Sequence, residues 1–158
     1  EGWSLRAALQ RHLAAYQEAY GIHTELSLPS DLAVGDLSPE VGVQLLRVIQ
    51  EALTNARKHA RARNVQVTFA REGAQATIVV ADDGCGFELV GDAAGAAADA
   101  ESTAGAAAAG APAAGGQGHF GLSFMRERMA QVGGSLRVET APGAGTRVVL
   151  RWTVDGKQ

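Results

Sequence analysis

The sequence predicts an α+β domain, a two-layer sandwich in which three helices cover one face of a sheet of about five strands. Three segments repeat apolar residues at helical spacing, and five shorter segments alternate apolar and polar residues or form short apolar runs between turn residues. Most strand segments are joined by short turns, which favours helices packed on one face of the sheet. A chain of 158 residues suits one core, so we expect residues 1–158 to form a single domain.

The first helix is predicted over residues 4–20, because its apolar side chains recur at helical spacing. They are Leu5, Leu9, Leu13, Tyr16 and Tyr20. Gly21 follows at the position where a left-handed cap ends a helix. Alternating residues over 22–28 then predict a strand that stops at Pro29.

The second helix is predicted over about 38–60. It opens with Ser-Pro-Glu, in which Ser can cap free amides and Glu favours the positive end of the helix dipole. Its apolar stripe leaves Glu51, Asn55 and Lys58 or His59 on another flank, at offsets of four, seven and eight residues. These polar groups can therefore converge on one ligand.

The next elements form a hairpin. Residues 65–69 alternate, residues 71–73 form a turn, and 76–80 is an apolar run. The second strand of this hairpin is predicted to end at Asp82, which places a carboxylate at a sheet edge.

A third helix and two strands complete the predicted fold. Leu122, Met125, Met129 and Val132 mark the helix, which Gly-Gly closes. Two strands follow around a Pro-Gly-Ala-Gly turn at 142–145.

Residues 91–117 are a low-complexity segment in which 20 of 27 residues are Ala or Gly. Glycines and Pro112 interrupt the alanine runs, and no large apolar side chain is present to dock a helix. We therefore predict a mobile loop, with a tolerated surface insertion as the alternative for its middle.

Composition and charge exclude several classes of function. The chain has 14 basic and 17 acidic residues without a block of either sign, so we expect no nucleic-acid partner and no direct membrane contact. It shows neither a long apolar run nor a signal peptide. The single cysteine, Cys85, excludes an internal disulfide and fits a cytoplasmic location. Because the chain begins at Glu1, we expect a longer parent protein, whose membrane attachment stays open.

Three separated segments carry the residues of one nucleotide site: EALTNARKHA at 51–60, ADDGCGF at 81–87 and GHFGLSFMRERM at 118–129. Their order and spacing resemble the catalytic, ATP-binding domain of sensor histidine kinases, a branch of the GHKL ATPase superfamily, over most of the chain. The first and third segments are most similar to kinases of the nitrate-sensor (NarL-partnered) type. The resemblance implies the same two-layer fold with a mixed sheet, ATP and Mg²⁺ as ligands, and an ATP lid at about 91–117.

Asp82 is the candidate for adenine recognition. A carboxylate at a strand end can accept from the exocyclic amine of the base, with water completing the set. The resemblance places the adenine-reading residue first in Asp-x-Gly-x-Gly, which is met by Asp82, Gly84 and Gly86. The glycines can let the backbone approach the base or simply permit positive φ, and Asp83 is expected to cap the turn or face water. The resemblance adds the Thr146 hydroxyl, acting through water, although Thr also favours strands for its propensity.

The phosphates of a nucleotide need a divalent ion with oxygen ligands, together with amide or basic donors. The resemblance assigns Asn55 to Mg²⁺ and brings Lys58 and His59 to the phosphates, with Lys58 favoured because it stays charged at neutral pH. Glu51 matches the acid that polarises water in hydrolytic members of the superfamily. Its role here stays open between a base, an organiser of Mg²⁺-bound water and a stabiliser of the pocket.

The third motif is expected to complete the phosphate site. Gly118 and Gly121 can present backbone amides at the start of the third helix, where the helix dipole favours anions. Leu122 belongs to the same motif and is assigned to the ATP site by the resemblance. Arg126 and Arg128 are expected on a solvated face.

The accepting histidine is absent from this sequence. His12, His23, His59 and His119 all lack the His-Asp or His-Glu context that the family phosphorylates. The resemblance therefore implies a kinase domain that phosphorylates a separate dimerisation domain, with a response regulator downstream, and an isolated domain that is monomeric. Two alternatives stay open: a stand-alone GHKL serine kinase of the anti-sigma-factor type, and a nucleotide-binding regulatory module that transfers no phosphate.

Overall fold

A computed structural model describes residues 4–28, 37–88 and 117–154, and for residues 117–120 it describes the backbone alone. In chain order its elements are α1 Leu5–Tyr20, β1 His23–Ser27, α2 Pro39–Lys58, β2 Asn64–Glu72, β3 Gln75–Asp82, α3 Gln117–Gln131, β4 Ser135–Thr140 and β5 Thr146–Thr153. The predicted three helices and five strands are confirmed within these ranges. The predicted lid, apart from Gln117, lies outside the described residues.

The five strands form one mixed sheet in the order β1-β2-β3-β5-β4. β1 runs parallel to β2, with His23 opposite Asn64, and the other neighbouring strands are antiparallel. The register of β3 against β5 sets Asp82 directly opposite Thr146. Two residues that are far apart in the sequence, and that were both predicted at the base site, are therefore cross-strand neighbours.

One hydrophobic core lies between the sheet and the helices. In β2, Val65, Val67 and Phe69 are buried, whereas the residues between them are exposed or half-buried, as expected of a strand with one covered face. α2 packs on this face with Leu45 and Ile49 fully buried. The described part of the molecule is thus the two-layer sandwich that the sequence predicted.

Helix caps fix where the helices begin and end. Ser38 Oγ accepts from the Val41 amide at 3.3 Å, next to Pro39 at the helix start. α1 is capped by Gly21, which has a φ of 66° and donates its amide to the Gln17 carbonyl at 2.9 Å.

Among the helices of the described ranges, none has the length and apolarity needed to cross a membrane.

Arg128 joins α3 to α2. Its Nη1 donates to Gln44 Oε1 at 2.8 Å, and its guanidinium lies 4.2 Å from the centre of the Phe124 ring. Both Arg126 and Arg128 are half-buried. The prediction of a solvated face is therefore wrong, because both side chains are partly buried. For Arg128 the cause is the packing of α3 against α2, where it contacts Gln44.

Candidate nucleotide site

A cavity of about 170 Å³ opens between α2, the end of β3, the start of α3 and β5. Six residues predicted to bind ATP line it: Asn55, His59, Asp82, Gly86, Leu122 and Thr146. The apolar residues Ala52, Val80 and Val148 also line it, as expected of a site that buries a flat organic ring. All three sequence motifs therefore contribute to one cavity.

The two basic candidates at the end of α2 lie differently. Lys58 is the last residue of α2 and is exposed, and it is not among the described residues that line the cavity. His59 is the helix C-cap, and its amide donates to the Asn55 carbonyl at 3.0 Å. Sequence reasoning favoured Lys58 for the phosphates, whereas the structure places His59 in the cavity wall.

The Asp82 carboxylate lies half-buried at the end of β3. Burial raises the pKa of this carboxyl, the negative charge of Asp83 adds to the rise, and amide donors from Gly84 and Thr146 oppose it. The Gly84 amide donates to Asp82 Oδ1 at 2.8 Å. Since an ionised carboxylate has about four acceptor positions, Asp82 retains acceptor capacity for an N–H donor that enters the cavity.

Asp83 serves the fold rather than the cavity. Its Oδ1 accepts from the amides of Arg63 and Asn64 at 2.8 and 2.9 Å, and its Oδ2 accepts from Asn64 Nδ2 at 2.7 Å. The hydrogen bonds from Asn64 and Arg63 lower the pKa of Asp83 to about 2. Asp83 therefore ties the end of β3 to the start of β2 and helps to fix the turn that carries Asp82.

The glycine turn after Asp82 is held between two parts of the chain. A side chain at Gly84 would place its Cβ 2.5 Å from the Ala60 carbonyl oxygen, and the Cys85 amide donates to that same oxygen at 2.8 Å. Gly86 has a φ of +62°, and a Cβ there would lie 2.9 Å from the Gly145 carbonyl oxygen. Gly84 thus allows close packing on the chain that leaves α2, while Gly86 allows the backbone conformation at the cavity wall.

Gly121 brings the third motif against α2. A Cβ at this position would lie 2.8 Å from Glu51 Oε1 and 3.5 and 3.6 Å from Asn55 Nδ2 and Oδ1. Glu51 and Asn55 are therefore neighbours on one side of the cavity, as their spacing predicted. Gly118 lies in the first turn of α3, where the backbone amides have no partner within the helix.

Sequence reasoning missed Thr140 and Phe87. Phe87 lines the cavity, and its amide donates to Thr140 Oγ1 at 3.1 Å. Thr140 is the last residue of β4 and lies 3.0 Å from Thr146, oxygen to oxygen. A threonine at the end of a strand carries no signal of such a role, since only the folded turn brings these segments together.

A comparison with protein-family models covers all three motifs in one match. Residues 40–156 match the model of the histidine kinase-, DNA gyrase B- and HSP90-like ATPases. The chain belongs to this family. The family predicted from the three motifs is confirmed, and ATP is the ligand that membership in this ATPase family implies for the cavity.

Several sensor kinases resemble the chain. The signal transduction histidine-protein kinase/phosphatase DegS of Brevibacillus brevis is 29% identical, over 90% of this chain and 30% of that protein. The nitrate/nitrite sensor protein NarX of Escherichia coli is 29% identical, over 92% of this chain and 20% of that protein, which agrees with the predicted nitrate-sensor type. The chain therefore spans less than a third of the length of these relatives.

Solved histidine kinase structures share the fold. The ATP-binding domain of PrrB from Mycobacterium tuberculosis matches with a TM-score of 0.63 at 20% identity, over 98% of this chain and 96% of that one. The blue-light activated histidine kinase EL346 of Erythrobacter litoralis matches with a TM-score of 0.66 at 22% identity, over 98% of this chain and 43% of that one. The predicted GHKL-type α+β fold is confirmed.

The residues of this ATPase-family domain fit a magnesium ion that is shared with a nucleotide. Glu51 and Asn55 supply carboxylate and amide oxygens side by side, and these are the ligands that Mg²⁺ prefers. In the described ranges, no three His, Cys, Asp or Glu side chains cluster to hold a metal. Mg²⁺ bound together with a nucleotide usually takes one or two protein oxygens and completes its shell with water and phosphates.

Proposed function

We propose that this chain binds Mg-ATP and donates the γ-phosphoryl group to a histidine on the dimerisation and phosphoacceptor domain of a sensor histidine kinase, for onward transfer to an aspartate of a response regulator. The observation that carries the proposal is the cavity in which Asp82 faces Thr146 at one end and Asn55 lies on α2 at another part of the wall. Membership in the ATPase family and the similarity to sensor kinases support it.

The base of ATP is assigned to the Asp82 end. Asp82 accepts from the exocyclic amine of adenine, while Ala52, Val80 and Leu122 offer apolar surface to the ring. Gly86 brings backbone to the edge of the same space. The Thr146 hydroxyl completes the polar contacts to the base, directly or through water.

The phosphates are assigned to the α2 and α3 side. Asn55 would hold Mg²⁺ directly and Glu51 through water, while His59 in the cavity wall and the amides at the start of α3 are assigned to the phosphate charge. Lys58, which is exposed at the end of α2 and outside the cavity lining, is assigned to the phosphates from the solvent side. When bound, the ion neutralises charge on the β- and γ-phosphates. The residues named here would orient the γ-phosphoryl group for attack by the incoming imidazole nitrogen.

The transfer then balances without a further reactant. The unprotonated imidazole nitrogen of the partner domain uses its lone pair to form the new N–P bond, while the bond from the bridging oxygen to the γ-phosphorus breaks and ADP leaves with the electron pair. The proton on the other imidazole nitrogen then passes to solvent. The histidines of this chain are poor acceptor candidates, because none is followed by the Asp or Glu that stands beside the phosphorylated histidine in the resembled kinases; they are His12, His23, His59 and His119. The acceptor histidine therefore belongs to another domain, and we expect the isolated chain to be monomeric.

The first test is titration of the chain with a fluorescent ATP analogue, with and without Mg²⁺. Asp82→Ala should abolish binding, and Asn55→Ala should remove its Mg²⁺ dependence. Glu72→Ala is the matched control, because Glu72 is exposed at the other end of the β2–β3 pair. A folded chain that binds no nucleotide refutes the assignment, and binding without transfer to a supplied phosphoacceptor domain refutes the kinase activity.

A further inference from the structure

The Thr140 hydroxyl joins three segments around the cavity. Its Oγ1 lies 3.1 Å from the Phe87 amide nitrogen, 3.0 Å from the Gly145 carbonyl oxygen and 3.0 Å from Thr146 Oγ1. These partners belong to the segment after the glycine turn, to the turn between β4 and β5, and to the first residue of β5. Thr140 is not among the described residues that line the cavity, so it acts on the site from behind Thr146.

The chemistry of the partners fixes the direction of each hydrogen bond. A hydroxyl has one proton and two lone pairs. The Phe87 amide can only donate and the Gly145 carbonyl can only accept, so the Thr140 proton goes to Gly145. The remaining lone pair of Thr140 then accepts the proton of Thr146. If Thr140 instead donated its proton to Thr146, the buried Gly145 carbonyl oxygen would lie 3.0 Å from Thr140 Oγ1 without a proton between the two oxygens.

This direction decides what Thr146 offers to a ligand. Thr146 lines the cavity and is only 8% exposed. Since its proton is held by Thr140, its oxygen presents lone pairs alone. Asp82, directly across the strand pair, is an acceptor as well. This end of the cavity therefore presents acceptors from two side chains and favours an N–H donor.

We propose that Thr140 is a positioning residue that sets the base selectivity of the site, by fixing Thr146 as an acceptor. A 6-aminopurine offers a donor where a 6-oxopurine offers a carbonyl oxygen. The 6-oxo group would meet acceptor oxygens without a proton between them, which is an unfavourable contact beside the buried Thr146. The proposal rests on the assignment of the base to the Asp82 end of the cavity.

The test compares the binding of ATP with that of ITP, whose base carries a 6-oxo group. Dissociation constants are measured for the unaltered chain, Thr140→Val and Thr140→Ser. The unaltered chain should prefer ATP. Thr140→Val frees the Thr146 hydroxyl to donate to the 6-oxo group, so the ATP preference should fall by about tenfold. Thr140→Ser keeps the hydroxyl and should keep the preference.

A second cycle separates positioning from general support of the fold. In a Thr146→Val background, Thr140→Val should no longer change the ratio of ATP to ITP binding, because the hydroxyl through which it acts is gone. If Thr140→Val does not fold, Thr140→Ala makes the same comparison with room for a water beside the Phe87 amide.

The possible outcomes are distinct. Equal weakening of ATP and ITP by Thr140→Val, or an unchanged ratio, would mean that Thr140 supports the fold without setting selectivity, and the proposal would be overturned. Failure of the unaltered chain to bind either nucleotide would instead refute the base-site assignment itself. A preference for ITP in the unaltered chain would overturn the inferred direction of the Thr146 hydrogen bond.

Discussion

The neighbouring carboxylates Asp82 and Asp83 are expected to respond in opposite ways when each is replaced by Asn. Asp82 lies in the cavity wall, and burial raises its pKa. Asp83 lies outside the cavity, and hydrogen bonds from Asn64 and Arg63 lower its pKa to about 2. Since Asp→Asn removes the charge with almost no change of shape, the two variants separate ligand binding from folding.

Asp82→Asn is predicted to weaken ATP binding strongly. A hydrogen bond to a charged group contributes roughly 1.5–3 kcal/mol, which corresponds to about 10- to 150-fold in the dissociation constant. The stability of the ligand-free chain should stay equal or rise. A carboxyl whose folded pKa is raised stabilises the fold when protonated and loses that contribution as pH rises, so the ionised Asp82 is unfavourable at neutral pH. The Asn side chain can still accept from the Gly84 amide through its oxygen.

Asp83→Asn is predicted to lower stability while ATP binding is retained. A pKa of about 2 against the ordinary 3.8 corresponds to at most about 2 kcal/mol, and solvent screening of this nearly exposed group reduces it to about 1 kcal/mol. The thermal midpoint should fall by about 2–4 °C for a chain of this size. Because the folded pKa is depressed, the difference from the unaltered chain should be present above about pH 4 and disappear as pH falls toward 2.

The assay pairs thermal unfolding of the ligand-free chain, at several pH values, with titration of ATP at neutral pH. Both variants are compared with the unaltered chain in the same buffer. Equal loss of ATP binding in the two variants would refute the separation of roles, as would a large loss of stability in Asp82→Asn. A stability difference for Asp83→Asn that persists below pH 2 would contradict the assignment of the effect to its ionised carboxylate.

Two further changes test the α2 side of the site and the support of α2. Gly121→Ala would press a methyl group on Glu51 and bring it close to Asn55. Measured by calorimetry, Mg²⁺-dependent ATP binding should weaken by roughly tenfold while Mg²⁺-independent binding of adenosine stays the same. An equal loss for adenosine would contradict this placement. Tyr16→Phe removes the 2.8 Å hydrogen bond to the Leu53 carbonyl, so the free energy of unfolding in urea should fall by about 1 kcal/mol while the ATP affinity stays unchanged. Weakened ATP binding would show that α1 supports the site itself.

The fold could be predicted largely from the sequence, because each signal was local. The Ser-Pro-Glu start and the apolar stripe defined α2, and the alternation in β2 predicted its buried face. The outcome for Arg128 shows the limit of such reasoning. Charge alone suggested a solvated face, but the packing of α3 on α2 placed its guanidinium between Gln44 and Phe124. Helix-to-helix contact is a tertiary property that a single segment does not carry.

In the candidate site, too, residues marked by a local motif were predicted, whereas residues placed by tertiary contacts were not. Asp82 and Asn55 were predicted because a motif marks them, whereas the choice between Lys58 and His59 depended on the direction in which α2 ends. Thr140 carries no motif, and its role follows only from the turn that brings three hydrogen-bond partners to one hydroxyl. A residue that chooses the direction of another residue's hydrogen bond leaves no pattern in the sequence, because its partners are set by the fold. Selectivity for the base therefore depends on a contact that only the three-dimensional arrangement reveals.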